Sequence, residues 1–404
     1  MALLTPILIA GLAFGAEVGF WELQRRKLQN AVDTAAYAAA TQLRSGIADE
    51  DELKTFAKSV AEVGGYEGGE AGITLVSPPA SGAYAGNVSA VQVALDHSIP
   101  RRFSGIYSAD PVAFTVEATA LVESGRPACV LALSRSASKA VNFSGSTDVK
   151  LEGCDIASNS IADNAVNVNG AAAEVEVDCV SAVGGVDDPH NGIEYEGCPG
   201  PLENMPLTKD PYADLAEPAD ALAQSCESSA EMDKWNEKKG KGQPKPGRYC
   251  GGQHVSGEVE LSSGIYVLDG GDWRINATAK VEGMGVALFI TGGATLTING
   301  GAEFNLEAMD TGPLAGIVLF FDRDDAGITH TMNGGSHQSL TGIVYAPTAD
   351  LKINGGTSSG KGGPGCTQVV ANTIEFSGSA DFKSKCDWTG KKPIQTAQSI
   401  KIVE

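Results

Sequence analysis

The chain is poor in aromatic residues, in histidine and in positive charge. Aromatics make up 6% of its 404 residues, against fifty glycines, a balance that speaks for turn-rich β structure over a helical bundle. It has 29 basic residues against 50 acidic ones, for a formal charge of −21. A phosphate-binding surface needs a basic stripe, so no nucleic-acid partner is expected. The densest basic run, Lys238, Lys239, Lys241, Lys245 and Arg248, lies among Gly and Pro and reads as a solvated loop. C-x-x-C is missing and no histidine stands at finger-like spacing. Neither a zinc site, nor any other metal or cofactor, is expected.

Eight cysteines are present: Cys129, Cys154, Cys179, Cys198, Cys226, Cys250, Cys366 and Cys386. An even count spread over a β-rich chain suggests disulfides and an oxidising compartment. Spacing does not select among the many pairings. Sequential pairing, Cys129 with Cys154, Cys179 with Cys198, Cys226 with Cys250 and Cys366 with Cys386, is the expectation adopted.

A short phrase recurs between Trp273 and Cys386: an apolar residue, then Asn or Ser, then a small residue. It stands at Ile275-Asn276-Ala277, Ile298-Asn299-Gly300, Met332-Asn333-Gly334, Ile353-Asn354-Gly355 and Phe376-Ser377-Gly378, with starts 23, 34, 21 and 23 residues apart. Such a period means stacked rungs, the long interval holding an inserted loop. Around the phrase apolar and polar residues alternate, as in Ala294 to Ile298, which predicts strands with one buried face. Gly316 to Phe321 and Gly342 to Ala346 are almost wholly apolar and suit strands covered on both sides. Glycine pairs mark sharp bends. Phe143-Ser144-Gly145 and Val168-Asn169-Gly170 start the rungs earlier. The fold class expected is mainly β: an N-terminal membrane helix and a small α+β unit, then a right-handed parallel β-helix. The alternative is a β-sandwich or jelly roll. Asn276, Asn299, Asn333 and Asn354 are expected to stack as an internal amide ladder.

Leu3 to Trp21 is an apolar run just long enough to span a membrane. Arg25, Arg26 and Lys27 follow it, which by the positive-inside rule places the remainder in the cytoplasm. The cysteines and the large β region outweigh that rule here, and a basic N-terminus upstream of Met1 is expected. Gln24 to Leu43 continues as a helix with Leu28, Val32, Ala35, Ala36, Ala39 and Leu43 on one side. The run Leu28-Gln29-x-Ala31-x-Asp33-x-Ala35-Ala36, directly after the apolar span, resembles the N-terminal signature of TadE/TadG-like proteins of the bacterial tight-adherence (Flp) pilus system. Glu17 comes at the end of the apolar stretch, where a prepilin-type cleavage site would place it at the start, so an uncleaved anchor is expected. Cys129 to Ser138 is similar to a recurrent segment of TadG-related proteins. Metal-dependent adhesion would require Asp where Ser134 stands.

The expected organisation is an anchor and Ala-rich helix over 1–46, a small α+β spacer over 47–126, a β-helix passenger over 127–386 with an irregular loop at 187–247, and a polar tail over 387–404. Within the spacer, Asp49 to Val63 reads as a helix, and Ile73 to Val76, Val88 to Ile99 and Val112 to Val122 as strands. β-Helices also include polysaccharide-cleaving enzymes, which use paired carboxylates. Asp322, Asp324 and Asp325 with Arg323, and His330 or His337, are the candidates here. Asp-Arg-Asp-Asp-Ala-Gly is turn-like, and a solvated loop is preferred. The resemblance implies a non-enzymatic component of pilus assembly in the inner membrane, its bulk periplasmic or at the cell surface, with other pilus or inner-membrane proteins as partners of the N-terminal helix. The alternatives are an adhesin that binds glycan or protein through its β-helix, and a glycan-cleaving enzyme.

Overall fold

A computed structural model describes residues 4–45, 47, 49–237, 240–334, 338–354, 366–386 and 393–403. The chain forms two compact units, Met1–Gly125 with Gln398–Glu404, and Arg126–Ala397. It is mainly β with a long N-terminal helix, and among the described residues no sheet closes into a barrel.

In the first unit α1 (Leu4–Arg44) is one unbroken helix. Its residues Leu28, Ala31, Val32, Ala35, Ala36, Ala39 and Ala40 are buried, at the three- and four-residue spacing of one helix face. They pack on α2 (Glu50–Val63) and on the antiparallel sheet β1 (Ile73–Val76), β2 (Ala90–Ile99) and β3 (Val112–Glu123). Small side chains on both helices, Ala57 and Ala61 on α2 included, permit close approach. Asp49 caps α2 by accepting from the N–H groups of Asp51 and Glu52. The alanine face is thus occupied within the unit. Ser399–Ile402 joins the same sheet antiparallel to β3, Ile400 opposite Val122.

The second unit is built from parallel ladders. Gly264–Asp269, Asp272–Ile275 and Lys280–Gly283 pair in order with Val286–Thr291, Thr295–Ile298 and Glu303–Glu307. The recurrent phrase lies in one register, Ile275 to Ile298, to Met332, to Ile353, to Phe376. The long interval is taken up at two bends, 308–316 and 322–328. Side chains of the alternating strands point into a core of aliphatic residues. Inside it Phe143 and Phe376 stack with centroids 5.0 Å apart. The small residue of the phrase has a steric cause. A Cβ on Gly170 would stand 2.1 Å from the carbonyl oxygen of Gly145, and one on Gly145 2.7 Å from that of Gly378.

The order of stacking departs from chain order. Val369 pairs with Val130, Phe376 with Phe143 and Asp381 with Asp148. The early strands, from Pro127 to Val177, therefore stack beyond the end of the late ones. All rungs carry the same alternation, so pattern alone does not say which rung meets which. The segment after Asp187 first continues the parallel ladder, with Ile193–Tyr195 on Val175–Val177 and Leu202 beside Ser181, and from Thr208 to Trp235 runs back along the stack. Thr208 and Asn159 exchange two hydrogen bonds of 2.8 Å. Asp210 accepts from the Tyr345 hydroxyl at 2.7 Å, and the Tyr212 carbonyl accepts from Arg323 at 2.7 Å. Tyr212, Leu215, Ala221 and Leu222 cover the outward face of Val267, Phe289, Phe320 and Tyr345, which is why Ile317–Phe321 is buried on both faces. At the far end Trp235 closes the core edge-on to Tyr249, Tyr266 and Trp273, at 5.5, 6.0 and 5.4 Å.

Parallel strands at the end of a stack lack a neighbour on one side and fray unless covered. Trp235→Ala, a deletion worth roughly 3–5 kcal/mol in a packed core, should therefore accelerate amide exchange first in Gly247–Cys250 and Gln253–Val255. Thr367–Ser377, deep in the stack, should keep its protection. Uniform acceleration along the whole stack would contradict the capping role.

Candidate functional site

All eight cysteines are bridged: Cys129 to Cys154, Cys179 to Cys198, Cys226 to Cys250 and Cys366 to Cys386. The Cys129 and Cys386 sulfurs lie 3.5 Å apart, so two bridges pack side by side in the core. The sulfurs of Cys129, Cys154 and Cys386 form a close group, but as disulfide sulfurs they offer no thiolate to a metal.

The acidic loop after Ile317–Phe321 is organised by its own hydrogen bonds. Asp322 is buried, with its carboxylate accepting from the Thr291 hydroxyl and from the Asp324 N–H at 2.9 Å. Asp325 accepts from the Gly293 N–H at 2.9 Å, and burial raises its carboxyl above the usual range. Arg323 lies over the rings of Phe320 and Tyr345 and pairs with Glu217 at 3.8 Å. It holds the returning segment against the stack. Asp324 is exposed. His330 is buried beside Phe321, with its Nδ1 accepting from the Leu296 N–H at 3.1 Å. Burial pulls its pKa down to about 4. It is a neutral core histidine set in the ladder, whereas Asp324 faces solvent. His337 lies outside the described residues. Asp155 is also buried, and burial pushes its carboxyl up to about 6, although Arg126 stands 2.8 Å away and opposes the shift.

The amide ladder exists in segments. Asn299 donates to Asn276 at 3.5 Å, Asn354 to Asn333 at 3.0 Å and Asn167 to Asn142 at 2.7 Å, while the Ser377 hydroxyl donates to Asn354. Pattern reading missed two shallow grooves of about 510 and 520 Å³ beside the returning segment. Met309 borders both, with Glu307, Asp310 and Gln368 in one and Glu217 and Asp220 in the other. They come from the inserted bend 308–316 meeting the segment after Pro211, a contact that no local pattern encodes.

The N-terminal motif residues have distinct roles. Gln29 donates from its side-chain amide to Asp33 at 2.8 Å and to the Glu117 carbonyl at 3.1 Å, which ties α1 to β3. Leu28, Ala31, Ala35 and Ala36 face the core of the unit. Glu17 is 2% exposed, and its carboxylate accepts from the N–H groups of Arg102 at 2.5 Å and Ser104 at 2.7 Å. Gly11, Gly15 and Gly19 have open space where a Cβ would stand, which permits close approach by a neighbouring helix. Among the described residues no helix is long and apolar enough to cross a membrane. From residue 11 onward the sequence of α1 is interrupted by Glu17, Glu22, Arg25, Arg26 and Lys27.

Residues 1–42 match the family described as putative Flp pilus-assembly TadE/G-like, so this N-terminal segment is TadE/G-like. Residues 212–386 match a domain of unknown function, DUF7305. No curated protein and no solved structure matches.

The buried imidazole gives a pH test. Its folded pKa lies below the ordinary value of 6.5, so the unfolded chain binds the proton first and stability falls as pH drops from 6.5 to about 4, by up to roughly 3 kcal/mol. Asp155, raised above its ordinary value of 3.8, works in the opposite sense. An NMR titration should therefore place the His330 midpoint near 4, and the pH slope of the wild type minus that of His330→Leu should isolate its share. A midpoint near 6.5 would mean that the ring is solvated and free for chemistry.

Proposed function

We propose that the chain is a non-enzymatic, membrane-anchored component of the tight-adherence (Flp, type IVc) pilus assembly system. In this reading the apolar run Leu3 to Trp21 is an uncleaved anchor in the bacterial inner membrane. The remainder of the first unit is a spacer, and the second unit is a right-handed parallel β-helix passenger in the periplasm or at the surface. The observation that carries it is the match of residues 1–42 to the TadE/G-like family. Supporting it are one continuous helix from Leu4 to Arg44 and four disulfides, which suit an oxidising compartment. Parallel pairing over successive turns of three strands favours the β-helix over a sandwich, whose sheets are usually antiparallel.

A non-enzymatic role is favoured because the acid–base candidates already have structural partners: Asp322 and Asp325 hold their loop, and His330 holds the ladder. A second reading, an adhesin that binds glycan or protein, has the two grooves beside the returning segment in its favour. Deletion of the gene distinguishes the two. Loss of pili is expected for an assembly component, restored by the wild type and by Asp322→Asn/Asp324→Asn alike. Normal pili with lost attachment would instead establish the adhesin. Protease added from the periplasmic side should digest the second unit in spheroplasts, and full protection there would overturn the orientation.

A further inference from the structure

We infer that the loop 100–108 is a second membrane contact, seated in the headgroup layer of an anionic bilayer beside the end of the anchor. The inference rests on the reading of α1 as an anchor and adds a surface to it. Phe103, Ile106 and Tyr107 are 55, 83 and 86% exposed within one short loop. Isolated exposed apolar residues need no explanation, whereas three together mark a contact surface.

The loop is rigidly referred to one level of α1. Its backbone donates twice to the buried Glu17 carboxylate. The Arg101 guanidinium lies 5.6 Å from the Trp21 ring centroid, and that of Arg102 5.4 Å from the Phe20 centroid. Arg101 is oriented by its own bond to the Asp110 carbonyl at 2.8 Å. Glu17 to Trp21 is the last turn of the apolar run, so the loop sits where an anchor leaves the hydrocarbon. On one side of that level Leu12 and Phe14 are 75 and 53% exposed. On the other, Arg25 follows Trp21 by about 6 Å of helix, with Arg26 and Lys27 next to it, all exposed.

Aromatic side chains and arginines at such a level are the arrangement that holds a chain in the interface. Among the described residues none of Arg25, Arg26, Lys27, Arg101 and Arg102 is in an ion pair. In a chain of formal charge −21, Arg101 and Arg102 in the loop and Arg25, Arg26 and Lys27 on the following turns of α1 outnumber the enclosed Glu17 carboxylate, an excess that favours an anionic over a neutral lipid surface as the partner.

The test uses the full-length protein with a nitroxide on Leu12→Cys or on Ile106→Cys, both exposed positions, reconstituted in phosphatidylglycerol and in phosphatidylcholine nanodiscs. Relaxation by oxygen reports lipid contact, and relaxation by a water-soluble nickel chelate reports water. In phosphatidylglycerol both labels should be relaxed more by oxygen than by nickel, position 12 the deeper. In phosphatidylcholine, or with Arg101→Gln/Arg102→Gln, the oxygen preference at position 106 should fall while that at position 12 stays. Oxygen contact at position 12 with nickel contact at position 106 would overturn this inference and leave the anchor standing. Nickel contact at position 12 would instead remove the anchor. A label at position 106 shielded from both agents would mean that a second copy covers the loop, which would also overturn the proposal.

Discussion

The strands of the second unit take their backbone hydrogen bonds from parallel neighbours about one repeat away in sequence, while local bonds such as that from the Ala279 N–H to the Asn276 carbonyl close only the bends. A parallel strand such as Thr295–Ile298 owes its pairing to Asp272–Ile275 on one side and to Thr329–Asn333 on the other. Each turn therefore depends on having two neighbours, and the unit as a whole depends on what happens where neighbours run out. At one end the short helical segment through Trp235 covers the core, and it can reach that end only because the chain travels back along the stack to get there. The returning segment, which as sequence is simply irregular, is thus a consequence of the pairing rule. Its residues Tyr212, Leu215 and Leu222 also make a double-sided core of strands that would otherwise face water.

The local features were legible because each is written in a few residues. Alternation over Ala294 to Ile298 gives a strand, the repeated phrase gives register from Ile275 to Phe376, and the helical spacing over Asp49 to Val63 gives α2. What was not legible depends on contacts distant in sequence. Phe376 beside Phe143 joins strands of identical pattern, and nothing in either strand names the other. The alanines of α1 read equally well as a face for a partner and as one for α2; Gln29, with one amide group bridging Asp33 and the Glu117 carbonyl, settles that choice only once β3 is in place. For the candidate site the same holds. Asp322 and His330 look reactive as letters, and their roles follow from Thr291 and Leu296, residues 31 and 34 positions away that the ladder brings beside them.

The match of residues 212–386 begins inside the returning segment and ends at Cys386. It contains the bend at Tyr212, the cap at Trp235, the Cys226–Cys250 bridge and every late rung through Asp381–Lys385. The early rungs lie outside it, stacked on its last turn. Physically this divides the unit into a capped stack and an extension added where the stack would otherwise end in an open edge.

The junction between those two parts is where a stack of this kind is weakest, since no short stretch of chain crosses it. Elsewhere a turn is joined to the next by the polypeptide itself, so opening one pair of strands leaves them close together. Between Phe376 and Phe143 the chain must go the long way round. Side chains bridge the junction there: the two phenyl rings stack nearly parallel at 5.0 Å, and Cys366–Cys386 packs against Cys129–Cys154 with sulfurs 3.5 Å apart. Phe382 adds a third ring 5.3 Å from Phe376. The Cys129–Cys154 bridge fixes the first early turn to the second, so opening the junction would have to displace both together. Ring stacking and bridged turns thus supply at this one level the persistence that chain connectivity supplies at the others.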